Sequence, residues 1–520
     1  MCYNKITVAL SILIKNGTVI DGTGNAPKKT DVGISANRID AVGDLGSAAA
    51  DQIIDATNLY VAPGFIDLTA HSDVYGTLFS VPSQESLLRQ GVTTILVGNC
   101  GESLAPVVKK ESLMNLERWT TGFSVPINWN SVSEYYKNIE NLGVGLNVAT
   151  LVGEETLKRN AGNLEEMIFL LEEAMKDGAW GLSSNFSFAE TDAVAELTIL
   201  NLLKVVKKHD GLYKIHLRDE GKSFLPAVAS AIALARTSGA RTVISHFKAI
   251  GRGAWGDFNR ALRMLKKAQE SGVDIAFDFF PYMRTGSMLV SLLPSWARYG
   301  DNETILKRLY DQKTHSEIIN DLKAATLHAD KIFIASAFKD KTVLGLTLAD
   351  LAGRAGLAPE ELILELLKVN DLNVSIFGKT IHGKNLLSAA KDPSCAVASD
   401  GAGYDAAFQR LGDLVHPRSF GAYPRFFNLI APKAGIDLGW AVAKMTSRPA
   451  AMLGLKDRGI LKSGFIADIA IFHPEEFKDQ ATYKNPYNYA SGLRFLIISG
   501  RYAIANGIMD SKSCGVVLKK

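Results

Sequence analysis

The chain has 520 residues, 47% hydrophobic and 21% charged, a globular composition that excludes disorder and is too long for one ordinary core. Its formal charge of +3 is small for that length, and no stripe of Lys or Arg marks it for nucleic acid or an anionic membrane. The four cysteines, Cys2, Cys100, Cys395 and Cys514, share no paired spacing, which argues against a disulfide framework and for a reducing, cytoplasmic compartment.

The apolar run Ile6 to Ile14 is read as a first strand because it passes directly into the turn Lys15-Asn16-Gly17 and lacks a cleavage site. Its end, Ser11 to Ile14, is the first of several short alternating strands, with Val32 to Ile34 and Ile39 to Val42, and similar ones return at Ala467 to Phe472 and Leu493 to Ile498. From about residue 60 the pattern changes. Apolar, β-branched runs at Tyr60 to Asp67, Thr93 to Gly98, Leu146 to Val152, Trp180 to Ser184, Leu212 to His216, Thr242 to His246, Ile275 to Phe280 and Ala396 to Ser399 alternate with amphipathic helices. One helix, Asn163 to Lys176, opens on a capping box of Asn163 with Glu166 and closes at Gly178. Another, Phe258 to Glu270, places Ala261, Leu262, Leu265 and Ala268 on one face and stops at Gly272.

Eight such strands imply an α/β fold with a parallel sheet closed into a (β/α)8 TIM-like barrel, whose site lies at the C-terminal strand ends. Residues 1–60 and 455–520 are expected to form a small β-sandwich domain jointly. Residues 61–454 are then the barrel, with an insertion around 283–393 too long for one crossover. No segment approaches the roughly 20 apolar residues that span a bilayer.

Three residues carry the functional signal. Cys100, His216 and His246 each end an apolar run (ILVGNC, YKIH, TVISH), and a thiolate with two imidazoles at one rim suits zinc, leaving a fourth position for water. An isolated Cys or His between apolar residues is more often a packed core residue. The recurrence at equivalent strand ends, joined by His71 and Asp400, favours ligands. Asp400, at the end of the eighth strand, is placed to take a proton from water at that rim. Asp67 and Asp73 are expected to be structural hydrogen-bond partners. Arg218, Asp219 and Glu220 are expected to form a loop orienting His216.

The stretches Ile14-Lys15-Asn16-Gly17-Thr18-Val19-Ile20-Asp21-Gly22-Thr23-Gly24, Ala62-Pro63-Gly64-Phe65-Ile66-Asp67, Val97-Gly98-Asn99-Cys100-Gly101, His216-Leu217-Arg218-Asp219-Glu220, Ile244-Ser245-His246-Phe247-Lys248, Ser399-Asp400-Gly401, His416-Pro417-Arg418 and Gly464-Phe465-Ile466-Ala467-Asp468 resemble the amidohydrolase superfamily, and within it the N-acyl-D-amino-acid deacylase (D-aminoacylase) family. The resemblance covers nearly the whole chain, and the cysteine after the second strand is its most specific mark. It implies zinc-dependent hydrolysis of the amide bond of a small N-acylated D-amino acid. It further implies that His71 is a metal ligand, and that Lys248 and Arg418, with a hydrogen bond from Ser287, hold the substrate carboxylate. The chain departs from the family pattern at three places. Thr69 stands where the first histidine of His-x-His belongs, which puts a second metal position in doubt and leaves one tight zinc. Glu154-Glu155 replaces a usual histidine, and Phe280 a common tyrosine. Cyclic amide hydrolysis of the hydantoinase or dihydroorotase kind, and a catalytically impaired relative used for binding or assembly, are the alternatives. The Cys100 motif speaks against the first, and joint retention of Cys100, His216, His246 and Asp400 against the second.

Overall fold

The computed structural model describes residues 10–109, 125, 127–185, 192–324, 327–511 and 513–520. Residues Ile6 to Ala9 of the expected first strand, and Cys2, lie outside them.

The fold is α/β, organised by parallel strands. They are Phe65–Asp67 (β1), Val92–Val97 (β2), Asn147–Thr150 continued by Val152–Gly153 (β3), Gly181–Asn185 (β4), Leu212–His216 (β5), Arg241–Ile244 (β6), Ile275–Phe279 (β7) and Cys395–Val397 (β8). Each pairs in parallel with the next: β1 with β2, and β2 with the first piece of β3. The second piece of β3 pairs with β4, and the series runs on through β8. A parallel bridge between Ala70 and Gly401 links the segments that follow β1 and β8. Two strands expected as single runs are divided. The run from Tyr60 to Asp67 breaks at Gly64, whose N–H donates to Asp468 O, so Tyr60–Pro63 joins a different sheet from β1. The run from Leu146 to Val152 breaks at Leu151, where the strand changes partners from β2 to β4.

Side chains alternate across each parallel strand, and the two faces meet different cores. On β5, Tyr213 and Ile215 face the helices, within the large core that also holds Leu171, Leu203 and Phe258. Leu212 faces the other way, into a smaller cluster with Ile66, Leu96, Leu151, Val243 and Ala396. Lys214 and His216 follow Leu212 at steps of two, so they share its inward face and climb toward the C-terminal end.

The helices follow local rules. Leu164–Lys176 is capped by Asn163, whose side chain accepts from Glu166 N–H. The Glu166 carboxylate reaches Gly162 N–H and the Asn163 amide instead of the Asn163 backbone, so the expected capping box closes one residue early. Phe258–Glu270 buries Phe258, Ala261, Leu265 and Ala268, as its spacing predicts.

Two further sheets combine the chain ends. A four-stranded sheet orders Arg38–Gly43, Asp31–Ser35, Leu10–Lys15 and Ala50–Asp55. A seven-stranded sheet joins Thr18–Val19, Lys28–Lys29 and Tyr60–Pro63 to Ile469–Phe472, Leu493–Ile498, Arg501–Ala505 and Ile508–Met509. Both contribute to one core, with Ile12 and Ile34 from the first packed against Val61, Ile469 and Ile497 from the second. Between β7 and β8, Arg284–Met288, Ile332–Ala337 and Val374–Lys379 form an antiparallel sheet with its own helices and a separate core around Leu309, Ile334 and Ile376. Gly383–Lys391 then packs near Phe258–Glu270 and β8 in the larger core.

Gly98 shows how tightly the strand ends are set. Its φ is +75°, and a Cβ there would stand 2.2 Å from Leu151 O. Gly98→Ala should therefore destabilise the fold by about 1–3 kcal/mol, combining αL strain with a backbone clash, read as a lowered denaturant midpoint.

Candidate metal centre

Cys100, His216 and His246 follow or end β2, β5 and β6, and their donor atoms all lie within 4.8 Å of one another. Cys100 Sγ is 3.3 Å from His246 Nε2, and the two imidazole rings stand 4.5 Å apart at 76°. Cys100, His246 and Asp400 each adopt positive φ, at 55°, 38° and 52°. Non-glycine residues rarely do so, and such conformations persist only where the surroundings hold them. Here the turn comes as each strand ends and swings the side chain over the rim.

Asp400 and His71 complete the cluster. His71 Nε2 is 3.1 Å from Asp400 Oδ1, while Arg418 Nη1 donates to Asp400 Oδ2. Burial opposes ionisation of Asp400, but Arg418, His246 and His71 overcome it and hold the carboxyl well below its ordinary range. The Cys100 thiol is likewise pulled well below its ordinary value; burial opposes this, and His246, His216 and His71 prevail. His216 Nδ1 is buried with no hydrogen-bond partner, so no protein group competes for that ring nitrogen. A low-pKa thiol and two converging imidazoles fit a divalent metal of the zinc type.

The surrounding residues correct one expectation and support another. Glu220 orients His246, not His216: its Oε1 is 3.2 Å from His246 Nδ1 and accepts from Lys248 Nζ at 2.6 Å. Lys248 Nζ also lies 2.8 Å from His246 Nδ1. Asp219 instead accepts from Gly221 N–H and Ser223 N–H, closing the loop, and Arg218 approaches Glu196 at 3.5 Å. Asp67 accepts from Thr69 N–H and Ser399 N–H, and Asp73 from Gly98 N–H, the structural roles expected of them. Lys248 and Arg418 approach Phe280 to 5.9 and 4.9 Å of its centroid. Arg418 Nε is buried without a hydrogen-bond partner. Ser287 Oγ lies 2.7 Å from Ser291 Oγ on the strand of the inserted sheet that carries Gly286, beside Arg418.

Two residues absent from the sequence reading stand beneath the cluster. Lys214 and Asp278 are fully buried and ion-paired at 2.7 Å, with Thr69 bonded to both. The signal was present, since a lysine in Leu-Tyr-Lys-Ile-His and an aspartate in Ile-Ala-Phe-Asp-Phe interrupt otherwise apolar strands.

No protein-family model matches the chain. Among curated proteins, it is 28% identical over 530 residues to the D-aminoacylase of Alcaligenes xylosoxydans xylosoxydans, covering 98% of this chain and 97% of that one. Among solved structures, the N-acyl-D-glutamate deacylase of Bordetella bronchiseptica, complexed with zinc and a phosphonate mimic of the tetrahedral intermediate, superimposes with a TM-score of 0.81 at 27% identity. That match covers 98% of this chain and all of the other. A D-aminoacylase with a binuclear metal centre, activated by one metal and attenuated by the second, matches at a TM-score of 0.81 and 26% identity, covering 98% and 100%.

Cys100→Ala should abolish tight metal binding, because it removes the thiolate from a three-donor set; elemental analysis after dialysis reads the loss. A second expectation concerns Glu154, buried beside Lys158, where a histidine was expected from the family pattern. Burial, then Glu155, pushes its carboxyl from 4.5 up to about 7. Its contribution is therefore present below pH 4.5 and is lost as pH rises through about 7. Glu154→Gln should flatten that part of the stability profile, measured by urea midpoints across pH 4–8.

Proposed function

The chain belongs to the D-aminoacylase group of the amidohydrolases, and from that premise we propose that it hydrolyses the amide bond of N-acyl-D-amino acids, giving a carboxylate and a D-amino acid. The observation that carries this reading is the convergence of Cys100, His216 and His246 beside the Asp400 carboxylate. Those three residues would hold the divalent ion, proposed to be zinc. Bound there, it would acidify water and polarise the amide carbonyl.

The remaining chemistry belongs to the chain's own groups. Asp400 is ionised and held by Arg418 and His71, so it can accept a proton from water at Oδ1 and pass it to the leaving nitrogen. Water is thereby added across the C–N bond, oxygen to the acyl carbon and protons to the amine. The unpartnered Arg418 Nε is the donor proposed for the substrate carboxylate, with Lys248, also near the Phe280 ring, as a second positive charge. Ser287, beside Gly286, is proposed to add a hydrogen bond there. His71, expected as a metal ligand, lies outside the group formed by Cys100, His216 and His246 and is proposed to act through Asp400, keeping that carboxylate aimed at the substrate.

The parallel strands β1 to β8 are proposed to close as a (β/α)8 barrel, with Ala70 and Gly401 at the closure. The two terminal sheets are proposed as a β-sandwich domain of residues 1–60 and 455–520. The sheet from Arg284 to Lys379 is the proposed insertion into the barrel. No helix among the described residues is long and apolar enough to cross a membrane. Cys100, Cys395 and Cys514 are free, which supports a cytoplasmic location.

Paired N-acetyl-D- and N-acetyl-L-amino acids, assayed with and without added zinc, test the activity; turnover of the D series alone, dependent on metal, is expected. Asp400→Asn should keep its metal and fold while turnover falls by about 10²–10⁴, the range for general acid–base help.

A further inference from the structure

His71, after β1, stands with Asp400 beside Cys100, and the D-aminoacylase relative carries a binuclear centre. The corresponding donors here do not fit a second ion. Thr69 turns its hydroxyl down into the strands, donating to Asp278 Oδ2 at 2.8 Å and accepting from Lys214 Nζ. Its hydrogen and a lone pair are both engaged, and a neutral hydroxyl is already a weak ligand.

We propose that Lys214 is a built-in cation that takes the place of the second metal, so that the centre is mononuclear by construction. All three protons of its ammonium are used, toward Leu68 O at 2.6 Å, Asp278 Oδ2 at 2.7 Å and Thr69 Oγ1. With no donor left over, it is a positioning residue and makes no contact with substrate. Asp278 spends its other oxygen on His246 N–H at 2.6 Å, so the carboxylate that neutralises Lys214 also fixes the turn presenting a metal donor. Lys214 is 0% exposed and lies two residues before His216 on the inward face of β5. Its ammonium thus stands at the end of β1, under Thr69, where it engages the Leu68 carbonyl and the Thr69 hydroxyl that a second ion would otherwise meet. Any larger side chain at position 69 would meet the same ammonium.

This rests on Cys100, His216 and His246 being the metal ligands, and metal counting separates the two claims. Metal-free protein is titrated with cobalt(II), following the thiolate-to-cobalt absorption band, and total bound zinc is measured independently by elemental analysis at excess. Wild type should saturate at one equivalent of either metal. Thr69→His alone should also stop at one, because Lys214 still fills the space. Thr69→His with Lys214→Met and Asp278→Asn, which removes both members of the buried pair together, should bind a second equivalent. Two tight ions in wild type, or two in Thr69→His alone, would overturn the role of Lys214; a folded triple variant that still stops at one would do the same. Wild type that binds none, with no thiolate band, would instead overturn the ligand assignment. Where the triple variant fails to fold, the Thr69→His titration still decides, since a second tight ion there overturns the role of Lys214.

Discussion

A lysine and an aspartate, both inaccessible to solvent, meet at the base of the candidate metal centre, and much of its geometry passes through them. Asp278 on β7 accepts from Thr69 after β1, from Lys214 on β5 and from the backbone of His246 after β6. One carboxylate therefore ties four strand positions together from inside. In an apolar interior neither charge is tolerable alone, and removing one partner of such a pair typically costs about 3–5 kcal/mol. The pair resists disruption for that reason, and the donors above it inherit its rigidity.

The layer above is held by charge as well. Lys248, Glu220 and His246 form one group, and Arg418, Asp400 and His71 another, so each cation at the rim has a carboxylate beside it. Despite burial, His246, His216 and His71 lower the Cys100 pKa, and Arg418, His246 and His71 that of Asp400, which favours the thiolate and the carboxylate. The positive φ of Cys100, His246 and Asp400 is the backbone counterpart. Strain at these positions is sustained by parallel strands beneath and by the hydrogen bonds that hold each side chain.

The inserted sheet reaches the same rim. Arg284 O accepts from His416, and the backbone at Gly286 lies against Arg418. The segment beside Arg418, the partner of Asp400, thus has its own core, separate from the parallel strands that carry the candidate donors.

Periodicity and strand-end residues were enough to place Cys100, His216, His246, His71 and Asp400 together, because an inward-facing residue at the C-terminal end of a parallel strand has only one rim to occupy. The strand breaks at Gly64 and Leu151 were not legible: each depends on which neighbour supplies the hydrogen bonds, and both sides of each break are equally apolar. The partner of Glu220 was equally hidden, since its choice of His246 over His216 is made by the approach of Lys248 across the loop. Lys214 and Asp278 stood in the sequence as charged interruptions of apolar strands 64 residues apart. Sequence thus determined which donors exist and on which strand face they lie. Only the tertiary structure decided which opposite charges meet, because a buried ion pair is fixed by the packing of strands distant in the chain and leaves no local periodicity of its own.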